Sequence, residues 1–105
     1  MLTLKAALKA EILYPIPIES IEIKLLKRGL NPDSEMIPET FHDQRFLGAT
    51  ADCYIEVADA PNISEAGMSI SLQDRQNLRK RALMIYEGIG EEHPEIPSPV
   101  VYIIN

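Results

Sequence analysis

The sequence has a single cysteine and no tryptophan among its 105 residues. The lone cysteine, Cys53, cannot form an internal disulfide, which favours a reducing compartment. The N-terminus lacks the apolar stretch and the small-residue cleavage site of a secretory signal. No apolar run approaches the roughly 20 residues that span a bilayer. These absences predict a soluble cytoplasmic protein, or a component of an intracellular assembly, that does not enter membranes.

Basic residues are in the minority, with 10 Lys and Arg against 16 Asp and Glu and a formal net charge of −6. This balance argues against a surface that holds nucleic acid through many phosphate contacts. Residues 31–70 carry eight acids and one base, whereas a basic patch near the end of the chain consists of Arg75, Arg79, Lys80 and Arg81. We interpret both parts either as solvated helix faces or as surfaces for protein contact, including contact with another copy of the chain.

No group of residues meets the requirements of a catalytic or metal site. Cys53 with His42 or His93 is a conceivable nucleophile and base. However, Cys53 lies on the apolar face of a predicted helix, where a buried, inert thiol is typical. A zinc site usually needs three or four His or Cys ligands, and these three are the only such residues in the chain. The calcium-loop and phosphate-binding glycine motifs are absent too. We therefore predict no enzyme activity, no metal and no cofactor.

What is present suits one small helical domain. Apolar residues make up 46% of the chain and aromatic residues only 6%, so the core must be largely aliphatic. Apolar side chains at helical spacing predict four helices, at about residues 2–13, 18–28, 39–59 and 72–87. The alternating Ile-Glu-Ile pattern in the second of these also fits a short strand.

Local signals mark several helix ends. Thr3 suits the N-cap position of the first helix. Gly29 suits the position after the second helix, where a left-handed backbone is common. Ser71 followed by Asp74 is close to a capping box and predicts the start of the last helix, which Gly90 helps to terminate.

Two segments have strand-like patterns. Met68 and Ile70 alternate with serines after Gly67, which predicts a short strand or hairpin before the last helix. The β-branched run at residues 100–104 could pair with it or dock on a neighbour. The predicted fold is mainly α. It is a small four-helix bundle over residues 1–90 with a short β-hairpin or strand before the last helix, followed by a proline-rich, extended β tail over residues 91–105 of the same domain.

The most distinctive part of the sequence is residues 60–78, which continues into Ala82 and Tyr86. With its Ser-Glu-Ala-Gly-Met-Ser-Ile-Ser run, it resembles the head–tail connector (head-completion or adaptor) proteins of phages and prophages. In those proteins a similar hairpin precedes a final helix that ends near a tyrosine. The sequence departs from that pattern at Ala66, where a second glycine is expected, and in its tail after Gly90.

The resemblance implies a structural, assembly protein of a phage or prophage particle, located in the bacterial cytoplasm or the virion. Its implied partners are further copies of itself, in a homo-oligomeric ring, and portal or tail proteins. The alternative is a small intracellular adaptor or binding module of unknown partner. The candidate interaction residues are Ser64, Glu65, Gly67, Met68, Arg75, Arg79, Val101, Tyr102 and Ile103.

Overall fold

The computed structural model describes residues 1–59 and 71–91. The helices there are α1 (Leu4–Glu11), α2 (Ile18–Lys27), α3 (Gln44–Asp59) and α4 (Leu72–Gly88), with a 3₁₀ turn at Pro38–His42. The prediction of a mainly helical domain with four helices is confirmed, and the second segment is a helix.

The predicted β elements lie almost entirely outside the described residues. Within residues 1–59 and 71–91, the β pairing is limited to an isolated antiparallel bridge between Thr3 and Glu35. The predicted strand at 67–71 enters the described part only at Ser71, which caps α4 by accepting a hydrogen bond from the Asp74 amide at 3.0 Å. The predicted tail at residues 91–105 enters it only at Glu91.

The first backbone N–H groups of α1 find hydrogen-bond acceptors in the N-cap residue and in the loop that follows α2. The first backbone N–H groups of a helix have no partner inside the helix. The hydroxyl of Thr3 accepts a hydrogen bond from the Ala6 amide at 3.2 Å, as predicted for an N-cap. The Leu4 amide donates to the Ser34 carbonyl at 3.0 Å. The loop after α2 is therefore tied to the start of α1.

α2 ends in a Schellman motif. Gly29 has a φ of +81°, a backbone conformation that other residues adopt only at a cost. The Leu30 amide donates to the Leu25 carbonyl at 2.9 Å, and the Gly29 amide donates to the Leu26 carbonyl at 3.0 Å. Both leucines of the first bond are buried. This geometry makes Arg28 the C-cap residue of α2.

α3 is the central helix and packs against both α4 and α2. It begins at Gln44 and not near residue 39 as predicted, because residues 38–42 form the tighter 3₁₀ turn. The Asp43 carboxylate accepts a hydrogen bond from the Arg45 amide at 2.8 Å and so caps the new start. The buried residues of α3 are Phe46, Gly48, Ala49, Thr50, Ala51, Cys53, Tyr54, Ile55, Val57 and Ala58.

The core is one cluster to which all four helices contribute apolar side chains. α4 contributes Leu78, Ala82 and Tyr86, and Ile85 packs partly buried beside them. α1 contributes Leu4 and Leu8. Small alanine side chains on α3 allow this close approach of helices.

Candidate functional site

Oppositely charged side chains join α2 to α3 across their shared edge. Lys24 Nζ lies 2.7 Å from Glu56 Oε1, and Arg28 Nε lies 3.0 Å from Asp52 Oδ2. The two cations are four residues apart on the chain, as are the two anions, so each set lies on one helix face. The pairs run in opposite order, as expected for antiparallel helices.

Arg28 is held by carboxylates from two directions. Its Nε and Nη2 donate to the two oxygens of Asp52, both at 3.0 Å. Its Nη1 and Nη2 also donate to Glu91, at 2.6 and 2.8 Å. Bidentate pairs of this kind are among the stronger and more directional hydrogen bonds in proteins. Hydrogen bonds to Glu91 and then to Asp52 raise the pKa of Arg28 above its ordinary value.

The end of α4 positions two further residues, Tyr86 beside Asp52 and Glu91 beside Arg28. The buried Tyr86 donates its hydroxyl proton to Asp52 Oδ1 at 2.6 Å. Gly90 has a φ of +73°, and the Glu91 amide donates to the Tyr86 carbonyl at 2.8 Å. This is again the Schellman geometry, so helix termination itself places Glu91 next to Arg28. Burial, followed by the hydrogen bond to Asp52, raises the pKa of Tyr86.

We call Arg28, Asp52, Tyr86 and Glu91 the Arg28 cluster. Gly48 on α3 leaves the space that the cluster needs, since a Cβ there would lie 2.5 Å from Cζ of Arg28. An open cleft of about 500 Å³ adjoins the cluster. It is lined by Lys24, Lys27, Arg28, Asp52, Ile55, Glu56, Asp59, Tyr86 and Glu91.

The chemistry of the cluster is suited to holding charged groups. Arg28 stays protonated at any ordinary pH, so it cannot exchange a proton with a substrate. Asp52 already accepts hydrogen bonds from both Arg28 and Tyr86. The arrangement therefore binds and orients carboxylates around the guanidinium of Arg28.

A model of a family of unknown function (DUF6706) matches residues 2–103. The chain belongs to this family. No curated protein matches the sequence, and no solved structure matches it. Because the family carries no assigned activity, functional inference depends on the geometry and on the sequence.

Two of the predicted interaction residues, Arg75 and Arg79, reach back to the end of α3. Arg75 Nη1 donates to the Ala58 carbonyl at 2.8 Å, and Arg79 Nη2 lies 2.6 Å from Asp59 Oδ1. The last carbonyls of a helix have no partner within it and carry partial negative charge. Arg75 and Arg79 of the basic patch therefore bind the end of α3. A third member, Arg81, lies 6.0 Å from the centre of the Tyr54 ring.

The remaining sequence candidates are distributed as follows. Cys53 is buried, and burial raises the pKa of its thiol to about 12, as expected for an inert cysteine. His42 is exposed in the 3₁₀ turn. Among residues 1–59 and 71–91, no group of three or more His, Cys, Asp or Glu could hold a metal ion. In the same residues, no helix is long and apolar enough to cross a membrane.

The other interaction candidates fall outside the part of the chain that the structure describes. They are Ser64, Glu65, Gly67, Met68, Val101, Tyr102 and Ile103. Sequence reasoning, for its part, missed the Arg28 cluster. The signal available was the matched four-residue spacing of Lys24 and Arg28 with Asp52 and Glu56.

Proposed function

We propose that the protein is a structural subunit of a phage or prophage particle, of the head–tail connector type, that acts through protein–protein contacts. Its partners are other copies of itself, in a ring, and portal or tail proteins. The resemblance of residues 60–78 to connector proteins supports this proposal.

The observation that carries the proposal is a pair of exposed apolar side chains on the outer face of α2. Ile23 is 49% exposed and Leu26 is 61% exposed, three residues apart on one side of the helix. Single exposed apolar residues are common, whereas contiguous ones mark contact surfaces, and this neighbouring pair supports such a surface on α2. Lys27 beside them gives this face a charged edge.

The test is self-association of the full chain, measured by sedimentation and native mass spectrometry across protein and salt concentrations. Wild type is expected to form an oligomer, and Leu26→Lys to weaken it at least tenfold by placing a charge in the contact. Gln76→Lys, at an exposed position of α4, adds the same charge elsewhere and should have little effect. A wild-type chain that stays monomeric at all concentrations, or equal behaviour of both variants, would contradict the proposal.

A second candidate function is a small adaptor that binds a peptide, and one groove favours it. A cavity of about 360 Å³ lies between α4 and the turn after α1, lined by Leu13, Tyr14, Tyr54, Asp74, Asn77, Leu78 and Arg81. Apolar walls with a few polar groups are typical of ligand sites. An adaptor of this kind is expected to be monomeric, so the same measurement separates the two functions.

A further inference from the structure

The Arg28 cluster contains two carboxylates that are held in different ways. Asp52 sits in the middle of α3, where its side chain is 19% exposed and also accepts the Tyr86 hydroxyl. The Glu91 side chain is 35% exposed and belongs to the second residue after the α4 C-cap, Ile89. Asp52 is therefore held in the middle of a helix by two partners, Arg28 and Tyr86, whereas Glu91 approaches Arg28 from the end of a helix.

The net charge of the Arg28 cluster allows another carboxylate to replace that of Glu91. One guanidinium faces two carboxylates, so removal of Glu91 leaves the neutral pair of Arg28 and Asp52 and not an isolated buried charge. An isolated charge is what makes breaking most buried pairs so costly. Lys27 lines the same cleft and forms no ion pair with another described residue, so an incoming anion meets a further positive charge.

We propose that Arg28 is a carboxylate-binding site which Glu91 fills within the chain and which an acidic side chain of a protein partner fills in its place during assembly. Exchange frees residue 91 from α2 while Asp52 and Tyr86 keep the guanidinium in position. The identity of the partner as an assembly component rests on the proposed function, but the carboxylate site itself does not.

The first test replaces the lost group in solution. Glu91→Ala removes a fragment equivalent to acetate, so acetate should restore its thermal stability while sodium chloride at equal ionic strength does not. Wild type should show no such difference. The ¹⁵N signal of Arg28 Nε gives a local readout, and acetate should return it toward its wild-type position only in the variant. An equal response of both proteins to acetate and chloride would overturn the proposal.

The second test asks whether a peptide carboxylate competes. A capped tetraglutamate peptide, titrated by calorimetry, should bind Glu91→Ala at least tenfold more tightly than wild type, and a capped tetraglutamine peptide should bind neither. Glu91→Gln, which keeps the shape of the side chain, serves if the alanine variant fails to fold. Equal binding of tetraglutamate to wild type and variant would refute exchange. Both assays report on single chains, so they can fail independently of self-association.

Discussion

Gly48→Ala is the substitution whose outcome most directly measures the Arg28 cluster. In an ordinary helix interior, alanine is about 1 kcal/mol more favourable than glycine. At this position a Cβ would lie 2.5 Å from both Cζ and Nη1 of Arg28 and 2.9 Å from its Nε. The guanidinium is the end of a flexible side chain, so it can move away, but only by giving up its bonds to Asp52 and Glu91.

The size of the effect follows from what moves. Displacing the guanidinium breaks or lengthens four charged hydrogen bonds. Because the side chains of Arg28 and Asp52 are each 19% exposed, water compensates in part. We take about 2–4 kcal/mol for the loss, below the full penalty of an unpaired buried charge. Against a helix gain of about 1 kcal/mol, the expected net result is destabilisation by about 1–3 kcal/mol.

The assay is urea unfolding followed by circular dichroism, on a double-mutant cycle. Gly48→Ala should destabilise wild type but stabilise the Arg28→Ala background by up to about 1 kcal/mol, because the obstructing group is gone. Gly88→Ala has no atom within 4 Å of the new Cβ and serves as the control, with a small gain in both backgrounds. If Gly48→Ala stabilises wild type as much as it stabilises Arg28→Ala, the hydrogen bonds of Arg28 to Asp52 and Glu91 do not fix the guanidinium, and the reasoning is wrong.

Three further predictions concern single groups. Tyr86→Phe removes the hydroxyl that donates to Asp52 and should lower the free energy of unfolding by about 1.5–3 kcal/mol in urea titrations, with Tyr14→Phe as control. Gly90→Ala should lower the free energy of unfolding by about 1 kcal/mol because the φ of Gly90 is +73°, and Gly90→Asn should lower it less. Equal stability of wild type and both variants would contradict the left-handed cap. For Cys53, burial raises the pKa of the thiol to about 12, so the folded state keeps its proton more tightly than the unfolded state does. Stability should therefore fall as pH rises above about 9, by up to about 1.4 kcal/mol per pH unit. Cys53→Ala should flatten this slope between pH 9 and 10, and an unchanged slope would show that the thiol is accessible.

The helix ends were predictable because their causes are local. Thr3 and Ser71 bond to amides three residues away, and Gly29 adopts the left-handed conformation that its position requires. The predicted start of α3 is too early, because residues 38–42 form a 3₁₀ turn instead of the first turn of the α-helix. Pattern alone does not distinguish a 3₁₀ turn from the first turn of an α-helix.

The Arg28 cluster could not be predicted in the same way, because its contacts are distant in sequence. Arg28 meets Asp52 across 24 residues and Glu91 across 63. Sequence periodicity places each of these residues on a helix or at a helix end, but it does not say which helices are neighbours. The basic patch shows the same limit: Arg75 and Arg79 looked like surface charges, yet they bind the end of α3.

The cluster also shows why helix termination and recognition are linked in this chain. Arg28 directly precedes Gly29, the left-handed glycine that ends α2, and Glu91 directly follows Gly90, which ends α4. Each Schellman motif sets the backbone of the residue beside its glycine, so both charged groups are placed by the way their helices end. A carboxylate site built in this way needs little rearrangement of Arg28 when its ligand is exchanged. Loss of the glycine conformation at residue 90 should then weaken retention of Glu91 without altering the pair of Arg28 and Asp52, which separates the role of the helix end from that of the charges.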